Sequence, residues 1–270
     1  MRGKPGALAV YAAAFLAFLY APAILLPVFA FNDSKVIAFP LSGFTFEWFR
    51  QILDADSLHD ATLNSLFIAV STAILATTLG TFAARASTRY RFPAKAGIMG
   101  LVMTPLVLPE IIVGVSLLVA ILQLGIELSL WTIVLGHVLI CTPFSVAILG
   151  SAFQNFDKSL EEASIDLGRS RFATFRLITL PLVLPGILAS LLVSFTISLD
   201  EFIIAFFLAG SEATLPIYIW GQLRFPQKIP ALMAVGTVLL VASLTLLATA
   251  EFLRRSSIRR TGTDAAKGLM

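Results

Sequence analysis

An all-α, polytopic membrane fold of about six transmembrane helices is the fold class this sequence predicts. Three observations predict it. Of 270 residues, 58% are hydrophobic and only 13% charged, against about 25% charged in an ordinary soluble domain. The mean hydropathy is +0.92. Six apolar runs, at about 8–31, 61–84, 96–122, 131–152, 177–199 and 231–253, are each long enough to cross about 30 Å of hydrocarbon at about 1.5 Å per helical residue. The third observation is the placing of the basic residues between these runs.

The first run carries Pro22 and Pro27 and follows Arg2 and Lys4. A signal peptide is the rival reading, with Val28-Phe29-Ala30 as its cleavage site. The run from Ala7 to Phe31 is much longer than the roughly 7–15 residues of a signal core, so it reads as a retained membrane anchor. The third run holds Pro105, Pro109 and Glu110, the fourth His137, Cys141 and Pro143, the fifth Pro181 and Pro185. Membrane helices tolerate proline where neighbours satisfy the freed carbonyls. Beyond Asp200 and Glu201 the chain is apolar again from Phe202 to Ala209, which predicts a longer broken helix or a helix followed by a re-entrant turn. Cys141, the one cysteine, excludes an internal disulfide and reads as a packed small hydrophobe. No tandem repeat or linker divides the chain, so residues 1–270 read as one transmembrane domain.

Of 19 Lys and Arg, fifteen fall on one side of this topology. They are Arg2 and Lys4; Arg85, Arg89, Arg91 and Lys95; Lys158, Arg169, Arg171 and Arg176; and Arg254, Arg255, Arg259, Arg260 and Lys267. Lys35, Arg50, Arg224 and Lys228 make up the other side. The positive-inside rule therefore places both termini in the cytoplasm, as an even number of crossings requires. Trp48, Trp131, Tyr218 and Trp220 fall near the outer ends of spans and read as an interfacial aromatic belt rather than a cage for a cation.

The cytoplasmic loop at about 153–176 has its own local logic. Ser159 and Glu162 stand three apart, as in a capping box. Gly168 suits a left-handed helix stop, and Ser170 can cap a second helix running toward Pro181. The register is more specific than this. Glu162-Ala163-Ser164, three residues, Gly168, nine residues and Ile178-Thr179-Leu180-Pro181 resembles the E-A-A-x3-G-x9-I-x-L-P motif of ABC importer permeases. Ser164 stands where alanine is commonest. The stretches 19–35, 104–121, 131–151 and 178–210 are similar to permease subunits of spermidine/putrescine-type importers. That family usually carries Pro-Asp in the third span and Asp-Asp in the fifth, where this chain has Pro109-Glu110 and Asp200-Glu201.

The resemblance implies a type I importer permease fold in a bacterial inner membrane, with polyamines or a related cation as substrate. Superfamily members for ferric iron, aminophosphonates or opine-like compounds are the alternative. It implies that Glu162, Ala163, Ser164, Gly168, Ile178, Leu180 and Pro181 form the coupling element that docks on an ATPase. The implied assembly holds a second, non-identical permease, two cytoplasmic ATPase subunits and a periplasmic substrate-binding protein. The sequence has no G-x-x-x-x-G-K-[ST] phosphate loop. No cofactor is therefore expected in this chain, and ATP and Mg belong to the partner ATPase. A proton-driven secondary transporter is the rival class; it leaves the coupling loop without a use. An intramembrane enzyme lacks the H-E-x-x-H and G-x-S-x-G motifs.

Three carboxylates are candidates for the substrate path. Glu110 lies about 14 residues into the third run, roughly 21 Å from its cytoplasmic end at about 1.5 Å per residue. A carboxylate at such depth costs about 2.5 kcal/mol or more, so it should face a cavity or a partner. Asp200 and Glu201 come about 22 residues after Ile178, roughly 33 Å along a helix, and suit a cation gate on a broken helix. His137 reads as a hydrogen-bonding packing residue rather than a metal ligand.

Overall fold

The computed structural model describes residues 6–245. Arg2, Lys4, the basic residues from Arg254 to Lys267 and the end of the sixth run lie outside them. The helices are α1 (Ala7–Ala30), α2 (Glu47–Leu53), α3 (Asp56–Arg89), α4 (Lys95–Met103), α5 (Glu110–Gln123), α6 (Leu130–Gln154), α7 (Ser159–Asp166), α8 (Arg171–Thr174), α9 (Leu180–Asp200), α10 (Ile203–Leu208) and α11 (Leu215–Gln222), followed by α12 (Pro226–Thr245). Five helices in this region are long and apolar enough to cross a membrane: α1, α3, α6, the continuous Arg171–Asp200 stretch and α12. The sixth candidate is bent. Lys95–Leu106 and Glu110–Gln123 meet at 105°.

That bend corrects the reading of 96–122 as one straight crossing, and with it the depth of 21 Å for Glu110. Pro105 opens a single 3-10 turn over Thr104–Leu106. Pro109 is extended (φ −58°, ψ 129°), and proline also drives the residue before it out of the helical region. The two prolines act together, so the helix stops and restarts at Glu110.

Among the described residues the chain forms two compact units, residues 6–56 with 219–245 and residues 57–218. In the first, α1 is exposed along nearly its whole length and buries only Phe29 and Ala30. Ala30, Trp48 and Ala234 form its core, with Phe49, Ile52 and Met233 against them. The indole Nε1 of Trp48 donates to the Asn32 carbonyl at 2.7 Å. Asn32 Oδ1 in turn accepts from the Ser42 backbone and hydroxyl, at 3.1 and 3.2 Å. Trp48 is 5% exposed, so it is a core residue of the 31–53 segment and not a belt residue. Its N–H finds a partner indoors, as a buried indole needs. Trp131 and Trp220 are exposed.

In the second unit, α6 packs on α9, and α10 on both α5 and α6. The core holds Ile68, Val113, Ile133, Val134, Ile140, Ile204 and Leu208. Polar pairs tie the spans together at four-residue intervals along α9. Ser190 meets Thr77 at 3.0 Å, Ser194 meets Ser145 at 3.0 Å, and Ser198 meets His137 Nδ1 at 2.7 Å. All six are buried. An interhelical hydrogen bond of this kind averages about 0.6 kcal/mol in a bilayer. His137 thus has the packing partner its sequence context suggests, and Cys141 Sγ donates to the Ser194 carbonyl at 3.7 Å within the same seam.

Close approach of α3 and α6 depends on Gly80. A Cβ there would lie 2.5 Å from Ser145 Cβ and 3.0 Å from its carbonyl carbon. Both atoms are fixed by the α6 backbone, so the helices must part. We expect Gly80→Ala to cost about 1–3 kcal/mol, as overpacking does, read as a lower unfolding temperature in detergent. Gly97→Ala is the control, since a Cβ at Gly97 meets nothing within 4 Å. Equal stability of the two variants would remove the close-approach role.

Candidate functional site

The loop after α6 folds as helix, glycine turn, helix. Its first cap differs from the expected box. The helix starts one residue earlier, with Lys158 as N-cap and Ser159 already inside. The Ser159 N–H goes to Asp157 Oδ1 at 2.9 Å, which holds the Asp157 carboxyl below its ordinary range. Glu162 reaches Lys158 Nζ at 3.0 Å instead of the backbone. At the other end Gly168 has φ +86°. Its N–H donates to the Ile165 carbonyl at 2.9 Å, and the Arg169 N–H donates to the Ser164 carbonyl at 3.2 Å. These two bonds make a Schellman stop, in which glycine takes the left-handed position without a Cβ penalty. Ser170 Oγ accepts from the Ala173 N–H at 3.2 Å and caps α8 as expected.

Helical spacing gives α7 two faces. Glu162, Ala163, Leu167 and Gly168 point outward, with Leu167 85% exposed and Phe172 of α8 74% exposed. Glu161 and Ser164, three apart, point inward and are buried. Ser164 Oγ meets Thr174 Oγ1 at 3.0 Å, so the hydroxyl that departs from the alanine pattern has a partner. Ile178 and Leu180 are half-buried, and Pro181 is exposed in the first turn of α9. Between α8 and α9 the chain makes a π turn over Phe175–Thr179, closed by the Leu180 N–H on the Phe175 carbonyl. The missing N–H of Pro181 lies just beyond it, where a regular ladder would otherwise continue.

Glu161 is the residue that sequence reasoning missed. Its Oε1 accepts from Thr179 Oγ1 at 2.5 Å. Its Oε2 lies 3.3 Å from Arg89 Nε, and Oε1 lies 4.0 Å from Arg85 Nη2. Arg85 stacks over the Phe175 ring at 4.3 Å and Arg89 over Phe156 at 5.0 Å. One carboxylate thus joins α7 to the end of α3 and the base of α9. The available sequence signal was spacing: Arg85 and Arg89 are four apart at the end of α3, and Glu161 shares a face with Ser164.

Glu110 and Asp200 both lie within electrostatic reach of Glu201. Glu110 is the first residue of α5 and is exposed. Its charge there suits a helix N-terminus. Asp200 ends α9 and is exposed, whereas Glu201 is 8% exposed. Helix α10 packs on α5, which leaves Glu201 within electrostatic reach of both Glu110 and Asp200. Glu201 has a structural duty as well. Its Oε1 accepts from the Ile204 N–H at 2.8 Å and closes the start of α10. The chain after Glu201 is therefore a helix break followed by a short helix, one of the two forms expected.

Residues 76–262 match the family described as binding-protein-dependent transport system inner membrane component. The chain belongs to that family. This membrane component is 36% identical over 252 residues to the spermidine/putrescine transport system permease protein PotC of Shigella flexneri, covering 93% of this chain and 95% of that one. It is 36% identical over 233 residues to the putrescine transport system permease protein PotI of Escherichia coli K12, covering 83% and 82%. A chain in the crystal structure of a bacterial ABC transporter for import of the acidic polysaccharide alginate superposes with a TM-score of 0.71 at 14% identity, covering 89% of this chain and 93% of that one. At that identity the likeness shows the fold. The curated relatives are permease proteins, so this membrane component is a transport subunit and not an enzyme.

Proposed function

We propose that this membrane component is a permease subunit of an ATP-driven importer for polyamines such as putrescine or spermidine. The observation that carries the reading is the outward face of the 153–176 loop. It presents Ala163, Leu167 and Phe172, with Glu162 beside them, to solvent next to a Schellman stop, an exposed apolar surface on a highly charged loop that a soluble partner would cover. The partner is a pair of ATPase subunits that hold ATP and Mg, docked on the coupling element of Glu162, Ala163, Ser164, Gly168, Ile178, Leu180 and Pro181, within which Ser164 faces inward and packs on Thr174 while the exposed residues meet the partner. A second, non-identical permease and a periplasmic binding protein complete the assembly. Residues 1–270 act as one transmembrane domain with both termini in the cytoplasm, an orientation that rests on the distribution of Lys and Arg. The polyamine assignment rests on the two relatives named above and on the acidic trio Glu110, Asp200 and Glu201, which suits a cation.

Reconstituted alone in lipid, the chain is expected to hydrolyse no ATP and to move no putrescine against a gradient. With the ATPase, the second permease and the binding protein, ATP-dependent uptake of radiolabelled putrescine is expected. Uptake by the isolated chain under a proton gradient would sink the proposal in favour of a secondary transporter.

A further inference from the structure

We propose that Glu161 is the rigid link through which motion of α7 reaches the membrane spans, a positioning residue for coupling that is not itself on the docking face. This rests on the reading of the loop as the ATPase-docking element. A short helix that docked on a partner but was tethered only by its flanking turns would swing at Gly168 and pass on little displacement. Something must tie its inner face to the spans. Ser164 ties it only to Thr174 of the neighbouring α8. Glu161 reaches further, to Thr179 at the base of α9 and to Arg85 and Arg89 at the end of α3.

The link is built to be stiff. Its Thr179 contact is a charge-assisted hydrogen bond, stronger than a neutral one, and its two arginines add ion pairs at 3.3 and 4.0 Å. The side chains of Glu161 and Arg89 are only 12% and 10% exposed, so the pair is not a solvated surface pair whose worth is near zero. Both guanidinium groups are also held over aromatic rings, Phe175 and Phe156. Arg89 Nη2 donates to the Phe156 carbonyl at 3.3 Å, which pins the junction of α6 and the loop into the same cluster. Deleting the Glu161 carboxylate leaves two cations facing each other without their shared counter-charge, a costly arrangement when partly buried. The end gripped on the α9 side is Thr179, the last residue of the π turn. π turns are rare and occur often at functional sites, and a pull on Glu161 acts on this one.

The test uses the assembled complex in proteoliposomes, with putrescine uptake, ATP hydrolysis and the stimulation of hydrolysis by the binding protein read together. Glu161→Gln is expected to co-purify with the ATPase in normal amount and to hydrolyse ATP. Putrescine moved per ATP should fall about ten-fold or more, and binding-protein stimulation should be lost. Thr179→Val, which removes one hydrogen bond and little volume, should show a weaker loss of the same kind. The exchange of Glu161→Arg with Arg89→Glu should recover part of what each single change loses. Normal transport per ATP in Glu161→Gln overturns the link. So does failure of both Glu161→Gln and Thr179→Val to bind the ATPase, because the cluster is then a folding or docking element. Binding-protein stimulation does not depend on knowing the solute. If the wild type is stimulated but takes up no putrescine, the substrate assignment fails while the link is still judged by stimulation. If the wild type shows neither, the importer reading fails and the link falls with it.

Discussion

Gly168→Asp is expected to abolish import while leaving the chain inserted in the membrane. The φ of +86° at Gly168 belongs to a region that costs L-residues about 1–2 kcal/mol. Nothing lies within 4 Å of a Cβ at this position, so the substitution meets no clash and the fold has no reason to collapse. Instead the backbone relaxes toward negative φ. The two bonds that stop α7, Gly168 to Ile165 and Arg169 to Ser164, are then lost, and the outward face carrying Glu162, Ala163 and Leu167 turns away from its partner. A penalty of about 1.4 kcal/mol on the docked geometry is already ten-fold in affinity. The aspartate adds a negative charge at a helix C-terminus, where the dipole opposes it. Co-purification of the ATPase should therefore fall with transport. Gly168→Asn, which tolerates the left-handed region better, should retain more of both than Gly168→Val. Membrane insertion should be equal in all three. A chain that keeps ATPase binding and transport with valine at this position does not use the loop for docking.

This loop also shows how far the sequence could be read. Glycine at the helix stop and serine at the second cap followed from local rules, since each depends on a few neighbouring residues, whereas the capping-box role of Glu162 did not hold because the helix begins at Ser159. The inward role of Glu161 did not, because it depends on where Arg85 and Arg89 arrive from, some seventy residues earlier in the chain. Glu161 and Glu162 are adjacent and chemically identical. Only the rotation of α7 separates the clamp from the docking face. The third run failed for a related reason. Its apolar length was legible, but the effect of Pro105 and Pro109 is cooperative: one proline bends a membrane helix, whereas two, four apart with the first inside a 3-10 turn, end it. Trp48 went the same way. Its position near a span end suggested a lipid interface, but Asn32, sixteen residues earlier, offers its carbonyl to the indole and draws the ring into the core.

Neutralising the acidic trio is expected to cut polyamine uptake sharply with the assembly intact. A polyamine carries several ammonium groups and must shed water to pass, and acidic side chains along a path replace that water. Glu201 lies within electrostatic reach of both Glu110 and Asp200, and those two are exposed on the described surface. The bland alternative is different for each: a charge at the N-terminus of α5 for Glu110, a helix end for Asp200, and a cap on Ile204 for Glu201. The substitutions can separate these. Glu201→Gln keeps an oxygen able to accept the Ile204 N–H while losing the charge, so a cap alone predicts near-normal uptake and a cation path predicts a large loss. Asp200→Glu keeps the charge and changes the reach, so it should transport much better than Asp200→Asn. Glu110→Gln should lose uptake by more than the few tenths of a kcal/mol that a helix-end charge supplies, a difference visible as a drop of about ten-fold against less than about two-fold. Each variant is to be compared at equal ATPase co-purification, so that a failure to assemble is not read as a failure to transport. Normal putrescine uptake by Asn and Gln replacements at all three positions would sink the cation path and point to a neutral or anionic solute, while membership of the inner membrane component family would stand.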